Sequence, residues 1–389
     1  MRLWRCSNLN NKKDLSVYVH IPFCVRKCAY CDFVSYTDRF SDADKYCKAV
    51  IDELTQYDLD NYRVRTVFFG GGTPSSLNTD LISEILSAVR EKCGIADNAE
   101  VTLECNPCTL NASKLARYKS MGINRLSIGV QSFDEGLLKL IGRVHDADTA
   151  RKCIECAKKT GFENINTDMM FAIPGQTEKI LIDSINECIA LSPEHISLYS
   201  LILEEGTRLN DAVMCGKLDR IDDDTDRRMY RTACGLLERA GYVQYEISNF
   251  TKPGYESQHN IVYWKRGEYI GLGCAAHSFF KGMRYENLCG IDEYTEAVNT
   301  GKNIINKTEI TLKDAAEETV MLGLRMNEGI CERDFFNAAG FDIRIQCSRS
   351  LDKLEKEGLI GFSDGRIFAT DEGRDVLNYI ILQIVSDFK

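Results

Sequence analysis

The sequence predicts an α/β fold: a parallel sheet walled by helices, followed by a winged-helix-like α+β unit. Three observations carry this. Strand-like patterns alternate with amphipathic-helix patterns through six units, polar and glycine-rich motifs fall at the strand ends, and from about residue 309 the rhythm gives way to helices and one hairpin. Six strand-helix units in a row imply parallel strands joined by crossovers, in an open doubly wound sheet or in a barrel, complete or partial.

The strands are expected at Val17–His20, Thr66–Phe69, Val101–Glu104, Arg125–Val130, Asn164–Phe171 and His195–Leu201, each a short buried run bounded by turn or polar residues. Between them, Cys47, Val50, Ile51 and Leu54 share one helix face after a Ser41-x-x-Asp44 capping signal. Ile82, Ile85, Leu86 and Val89 repeat the i, i+3, i+4, i+7 spacing. Further helices are expected near 111–121, 147–159, 178–191 and 224–240. Beyond them, helical patterns at Ala315–Leu324, Glu332–Ala339 and Ile345–Glu357 precede a hairpin turning at Ser363-Asp364-Gly365. The chain is thus divided into residues 1–300 and a winged-helix-like domain, 301–389.

Composition narrows the function classes. With 389 residues, 44% of them hydrophobic, the chain can bury a large core. It shows neither a signal-peptide pattern nor an uninterrupted apolar run of spanning length, so a cytoplasmic protein is expected. Seventeen cysteines there would be reduced, and some could bind metal. The formal charge of −10 argues against nucleic acid. So does the stretch Glu309–Lys389, where ten Lys or Arg face sixteen Asp or Glu; docking of a partner or plain packing is the expected use.

The motifs converge on one rim. Cys24, Cys28 and Cys31 follow the first strand, 70-GGGTPSS-76 follows the second, Glu104 and Gln131 close the third and fourth, and Asp168 and Tyr199 lie in or near the ends of the fifth and sixth. In a parallel barrel these carboxyl ends share one face, where active sites of such barrels are built. A C-x3-C-x2-C array arises by chance roughly 0.03 times in a chain this rich in cysteine, so it carries information; a bare C-x2-C arises roughly 0.7 times, so Cys105/Cys108 and Cys153/Cys156 do not. Structural zinc wants four closed ligands, whereas three thiolates leave one iron of a cubane cluster open.

The array, with GGGTP after the second strand, resembles the radical S-adenosylmethionine (SAM) superfamily. The segments YVHIPFC, FFGGGTPSSL, LECNP, RLSIGVQSF, GRVH, NTDMMFAIPGQT, HISLYSL, QHNIVYW and GLGCAAHSF, in this order, resemble its oxygen-independent coproporphyrinogen oxidase subgroup. That resemblance implies a partial (β/α)6 barrel of the radical SAM type. It also implies a [4Fe–4S] cluster on Cys24, Cys28 and Cys31 whose fourth iron binds SAM, and reductive SAM cleavage to methionine and a 5′-deoxyadenosyl radical. Gly71, Gly72 and Thr73 would then meet the methionine end of SAM, Tyr18 and Tyr30 would flank it, Glu104 and Asp168 would accept from hydroxyl or ammonium groups, Arg143 would pair with a carboxylate, and Gln131 would bridge.

A departure separates branches of the subgroup. Decarboxylating enzymes of haem synthesis carry a further cysteine two residues after the third, where this chain has Phe33. The CDF form, the short arm before Tyr18 and 259-HNIVYW-264 resemble the haem-chaperone branch instead. Another departure is Cys105 within LECNP, a place where the resemblance does not demand cysteine. The branch implies haem as cargo and haem-requiring respiratory proteins, some membrane-associated, as acceptors; a homodimer and a peripheral stay at the membrane are compatible with it. Whether the chain is an enzyme is left open, with coproporphyrinogen decarboxylation, another radical SAM reaction on a tetrapyrrole, or a structural zinc protein as alternatives. Among five histidines, His259, in a polar loop beside Tyr263 and Trp264, is the expected haem ligand, and His277 is the reserve.

Overall fold

The computed structural model describes residues 12–388; the opening residues, on which the reading of no signal peptide partly rests, lie outside them. Six parallel strands stand in chain order: β1 (Lys13–Ile21), β2 (Tyr62–Gly71), β3 (Ile95–Cys105), β4 (Arg125–Gln131), β5 (Ile165–Phe171) and β6 (His195–Ser200). Sequential order requires every crossover to run the same way, which curls the sheet and brings all carboxyl ends to one rim. The barrel is partial. Instead of pairing with each other, β1 and β6 pair with later strands: β1 takes β9 (Tyr269–Leu272) in parallel, and β6 takes β8 (Asn249–Thr251), itself paired with β7 (Val243–Glu246). Beyond β9 the sheet continues antiparallel through β10 (His277–Phe280), β11 (Met283–Asn287) and β12 (Ile304–Glu309).

The outer helices form where their apolar spacing placed them. Ala43–Thr55 buries Tyr46, Cys47, Val50 and Leu54, and Thr79–Cys93 buries Ile82, Ile85, Leu86 and Val89 against the strands. Asn78 accepts the Asp80 N–H and thereby caps the second of these. Asn111, Asp146, Thr177 and Asp222 cap the helices Ala112–Ser120, Ala147–Lys159, Glu178–Leu191 and Asp223–Arg239 in the same manner.

A second core begins beyond Glu309 rather than at 301, because β12 pairs with β11 in the large sheet. Helices Leu312–Gly323, Glu332–Ala339 and Ser348–Lys356 pack with β13 (Ile330–Cys331), β14 (Ile360–Ser363) and β15 (Arg366–Ala369), the winged-helix order. The β14–β15 hairpin turns on Asp364 and Gly365, with φ of 50° and 70°, the backbone that a two-residue type I′ loop needs. The expected single helix Ile345–Glu357 is broken at Cys347 into Ile343–Gln346 and Ser348–Lys356, which lets Ile343, Cys347, Leu351 and Leu354 all reach the core.

Candidate functional site at the carboxyl rim

The loop after β1 folds back on itself: Tyr36 N–H donates to Pro22 O (2.7 Å) and Cys24 N–H to Tyr36 O (2.9 Å). It is pinned at its far side as well, where Ala29 N–H donates to Ile141 O and Ala29 O accepts from Leu209 N–H. So held, Cys24, Cys28 and Cys31 line one cavity of about 460 Å³, together with Tyr30, Gly71, Gly72, Thr73, Glu104, Gln131, Arg143, Asp168 and Tyr199. Tyr18 lines an adjoining space with Gly71, Glu104 and Asp168 and also borders a neighbouring cavity, its hydroxyl 3.1 Å from His20 Nδ1.

Backbone geometry explains the glycines. A Cβ on Gly72 would stand 2.8 Å from Ile21 O and 2.9 Å from Phe23 O, and Gly71 has φ of 104° with the His20 ring where a Cβ would go. The Gly72 and Thr73 N–H groups donate to Ile21 and Phe23 carbonyls, and Gly71 N–H to Glu104 Oε2 (3.1 Å). With these donors used internally, carbonyl oxygens are what the turn can offer a ligand.

Arg143 stands beside the thiols. Arg143 Nη1 lies 3.4 Å from Cys28 Sγ, Nη2 donates to Gly129 O, and Nε is buried without a partner. Burial pushes the Cys31 thiol up to about 11 and also raises Cys24, whose Sγ lies 3.5 Å from Thr73 Oγ1. Among the described residues no three His, Cys, Asp or Glu side chains converge tightly enough for one metal ion.

Burial, with Asp168 as a like-charged neighbour, pushes the Glu104 carboxyl up to about 8; burial likewise raises Asp168. Asp168 accepts from Asn166 Nδ2 (2.7 Å) and Ser127 Oγ (3.2 Å), and Ser197 Oγ donates to Asn166 Oδ1. Sequence reasoning passed over Ser127, Asn166 and Ser197, although Asn166 and Asp168 alternate on β5 and must face the same side. Register sets Glu104 beside Ser127 and Asp168 beside Ser197.

The histidines divide sharply. His259 lies in a helix, Gln258–Trp264, capped by Ser257, and not in a loop. It is 1% exposed; Nδ1 stands 2.7 Å from Thr66 Oγ1 and Nε2 2.7 Å from Tyr263 Oη, and burial lowers it to about 3. With both ring nitrogens engaged, His259 pins the helix to β2. Tyr263 is one of its partners, and Trp264 lies under the Arg325 guanidinium. His20, His145 and His195 are buried too, whereas the His277 side chain is 68% exposed. Cys105 and Cys153 are free, buried core thiols, and Cys108 is free and exposed.

The Radical SAM superfamily model matches residues 18–188, and the HemN C-terminal domain model matches 310–376. The chain is 35% identical over 376 residues to the heme chaperone HemW of Lactococcus lactis, covering 97% of this chain and 98% of that protein. To the heme chaperone HemW of Bacillus subtilis it is 37% identical over 363 residues, with 92% and 96% covered. The solved structure of the coproporphyrinogen III oxidase HemN of Escherichia coli superposes with a TM-score of 0.85 at 22% identity, covering 97% of this chain and 91% of that one, a likeness of fold.

Proposed function

Because the chain belongs to the radical SAM superfamily, in the family of the heme chaperones HemW, we propose that it binds haem and delivers it to haem-requiring proteins, using a [4Fe–4S] cluster and SAM. The observation that carries the cofactor reading is the single cavity shared by Cys24, Cys28 and Cys31, the glycine turn, Arg143 and the two buried carboxyls.

The donor set fits both groups. Three soft thiols would hold the cluster, with deprotonation on iron binding overcoming the burial that raises Cys24 and Cys31. Arg143, whose Nη1 lies beside Cys28 and whose Nε has no partner, is suited to the carboxylate of SAM, and the carbonyls of the Gly71–Gly72 turn to its ammonium. Glu104 and Asp168 need donors to be comfortable when ionised, which ribose hydroxyls or an ammonium would provide. When bound, the reduced cluster supplies one electron to the SAM sulfonium. The work of this chain is to orient the cofactor and keep the site shielded. Tyr30, half-buried along the cavity, contributes an aromatic wall.

Phe33 stands where decarboxylating relatives carry cysteine, and it is 63% exposed at the mouth of the cavity. This supports carriage of haem over coproporphyrinogen decarboxylation. No helix among the described residues is long and apolar enough to cross a membrane, so delivery to membrane-associated acceptors would be by docking. Anaerobic incubation with reductant, SAM and coproporphyrinogen III tests the choice. No divinyl product is expected, and its accumulation over several turnovers would move the chain to the decarboxylating class.

A further inference from the structure

A second cavity, of about 600 Å³, opens beside the cluster site, within the volume that ligand pockets of this kind occupy. Asp32 and Phe33 line both cavities. Its walls come from the barrel, the β9–β11 extension and the helix Leu312–Gly323: Val34, Tyr263, Tyr269, Phe279 and Leu322 supply apolar and aromatic surface. None of the residues in the functional site described above explains why this space is kept open.

Beside His20, Asp32 and Cys289, its lining carries two sets of polar groups. One is His277, paired across the β10–β11 ladder with Glu286, whose Oε2 lies 3.1 Å from His277 Nε2. A carboxylate on the second nitrogen of an imidazole fixes its tautomer and raises its basicity, the usual arrangement behind a metal-bound histidine. Of the five histidines, His277 is the one that is exposed. The other set is Arg266 and Arg284, which both pair with Glu318 and stack on Phe279, their guanidinium carbons 5.2 and 4.8 Å from the ring centroid. Two guanidinium groups against one carboxylate leave a positive charge at this end. Asp32 and Glu286 are the acidic residues of the lining, and Glu286 is committed to His277.

An apolar slot with an imidazole backed by a carboxylate, and an excess of guanidinium charge, is complementary to a planar, metal-bearing macrocycle with carboxylate side arms. We propose that haem, on the reading of this chain as a haem carrier, sits in this second cavity with His277 as iron ligand and its propionates toward Arg266 and Arg284. The 259-HNIVYW-264 segment, anchored by the buried His259, shapes the wall through Tyr263 and does not touch the iron. Arg266 and Arg284 suit propionates because guanidinium groups pair carboxylates with directed hydrogen bonds.

The test is anaerobic haem titration, read by the Soret band, on the full chain and on His277→Ala and Leu322→Trp. The first removes the ligand and the second fills the slot from its far wall. Far-ultraviolet circular dichroism and iron–sulfide content serve as controls for folding and for the cluster site. Both variants are expected to keep native helicity and cluster content and to bind haem about tenfold more weakly or worse, His277→Ala with a shifted Soret band. A folded variant of either kind that titrates like the parent chain overturns the location. Absence of haem binding by the parent chain itself would instead overturn the haem-carrier reading on which the location rests.

Discussion

Replacing Glu104 by Gln should make the cofactor-free protein more resistant to alkaline conditions. The native carboxyl is pushed up to about 8 from its usual 4.5, chiefly by burial and secondly by Asp168. A carboxyl raised on folding contributes stability that is fully present below its unfolded value and is lost as pH rises through its folded value. Well below its folded value each pH unit costs about 1.4 kcal/mol, and the slope halves as pH reaches 8, so from pH 6 to pH 8 the parent chain loses roughly 2 kcal/mol through this one group. Gln does not titrate, and it keeps an oxygen to accept the Gly71 N–H. Glu53, buried among Tyr294, Asn287 and Asn303 and raised to about 7, titrates in the same window in both proteins and cancels in their difference. Urea unfolding at pH 6, 7 and 8 on the two cofactor-free chains measures that difference. It should widen by about 2 kcal/mol across the range, and saturating SAM should shrink it by supplying donors to the ionised carboxyl. Parallel pH profiles for the two chains would refute the placement of Glu104 in a desolvated site.

Three further outcomes follow from particular contacts. Cys24→Ala, Cys28→Ala or Cys31→Ala should each abolish cluster reconstitution, measured as iron and sulfide per chain, while Cys105→Ala, whose thiol is buried in the core, should retain it. Gly72→Ala places a methyl against Ile21 O and Phe23 O and should abolish SAM binding in equilibrium dialysis even where the cluster assembles. His259→Ala leaves the hydroxyls of Thr66 and Tyr263 without their buried partner, so it should lower stability by about 1 to 3 kcal/mol in urea unfolding while the Soret band of bound haem stays where it was.

How much was legible in the sequence depended on the kind of signal. Long strand-helix units could be read because one face of each must be buried, and the helices Ala43–Thr55 and Thr79–Cys93 carry their apolar residues at the expected spacing. The rim followed from them, since motifs after parallel strands share one end. The β7–β12 extension gave little signal: its strands are three to six residues long, too short for alternation to stand out. His259 misled because Gln258-His259-Asn260 looks like a polar loop. Its inward orientation is set by the Ser257 cap and by Glu100, which accepts the Gln258 and His259 N–H groups from a strand far away in sequence. The cavity around His277 combines residues from 18 to 322, so no local pattern could announce it. Gln131, at φ of 71° and a register shift between β4 and β5, is a similar case: its motif was visible, its bulge was not.

Haem delivery is tested most directly by following one tetrapyrrole through the protein. The cluster-reconstituted, haem-loaded chain is incubated anaerobically with SAM, reductant and membranes from haem-deprived cells, and the pigment is then extracted from both fractions. Chemically unaltered haem should leave the chain and appear in the membrane haemoproteins, faster than from free haem at the same concentration. Haem that stays bound, or that is recovered as a covalently altered tetrapyrrole, would contradict carriage and make the site that of a tetrapyrrole-modifying enzyme.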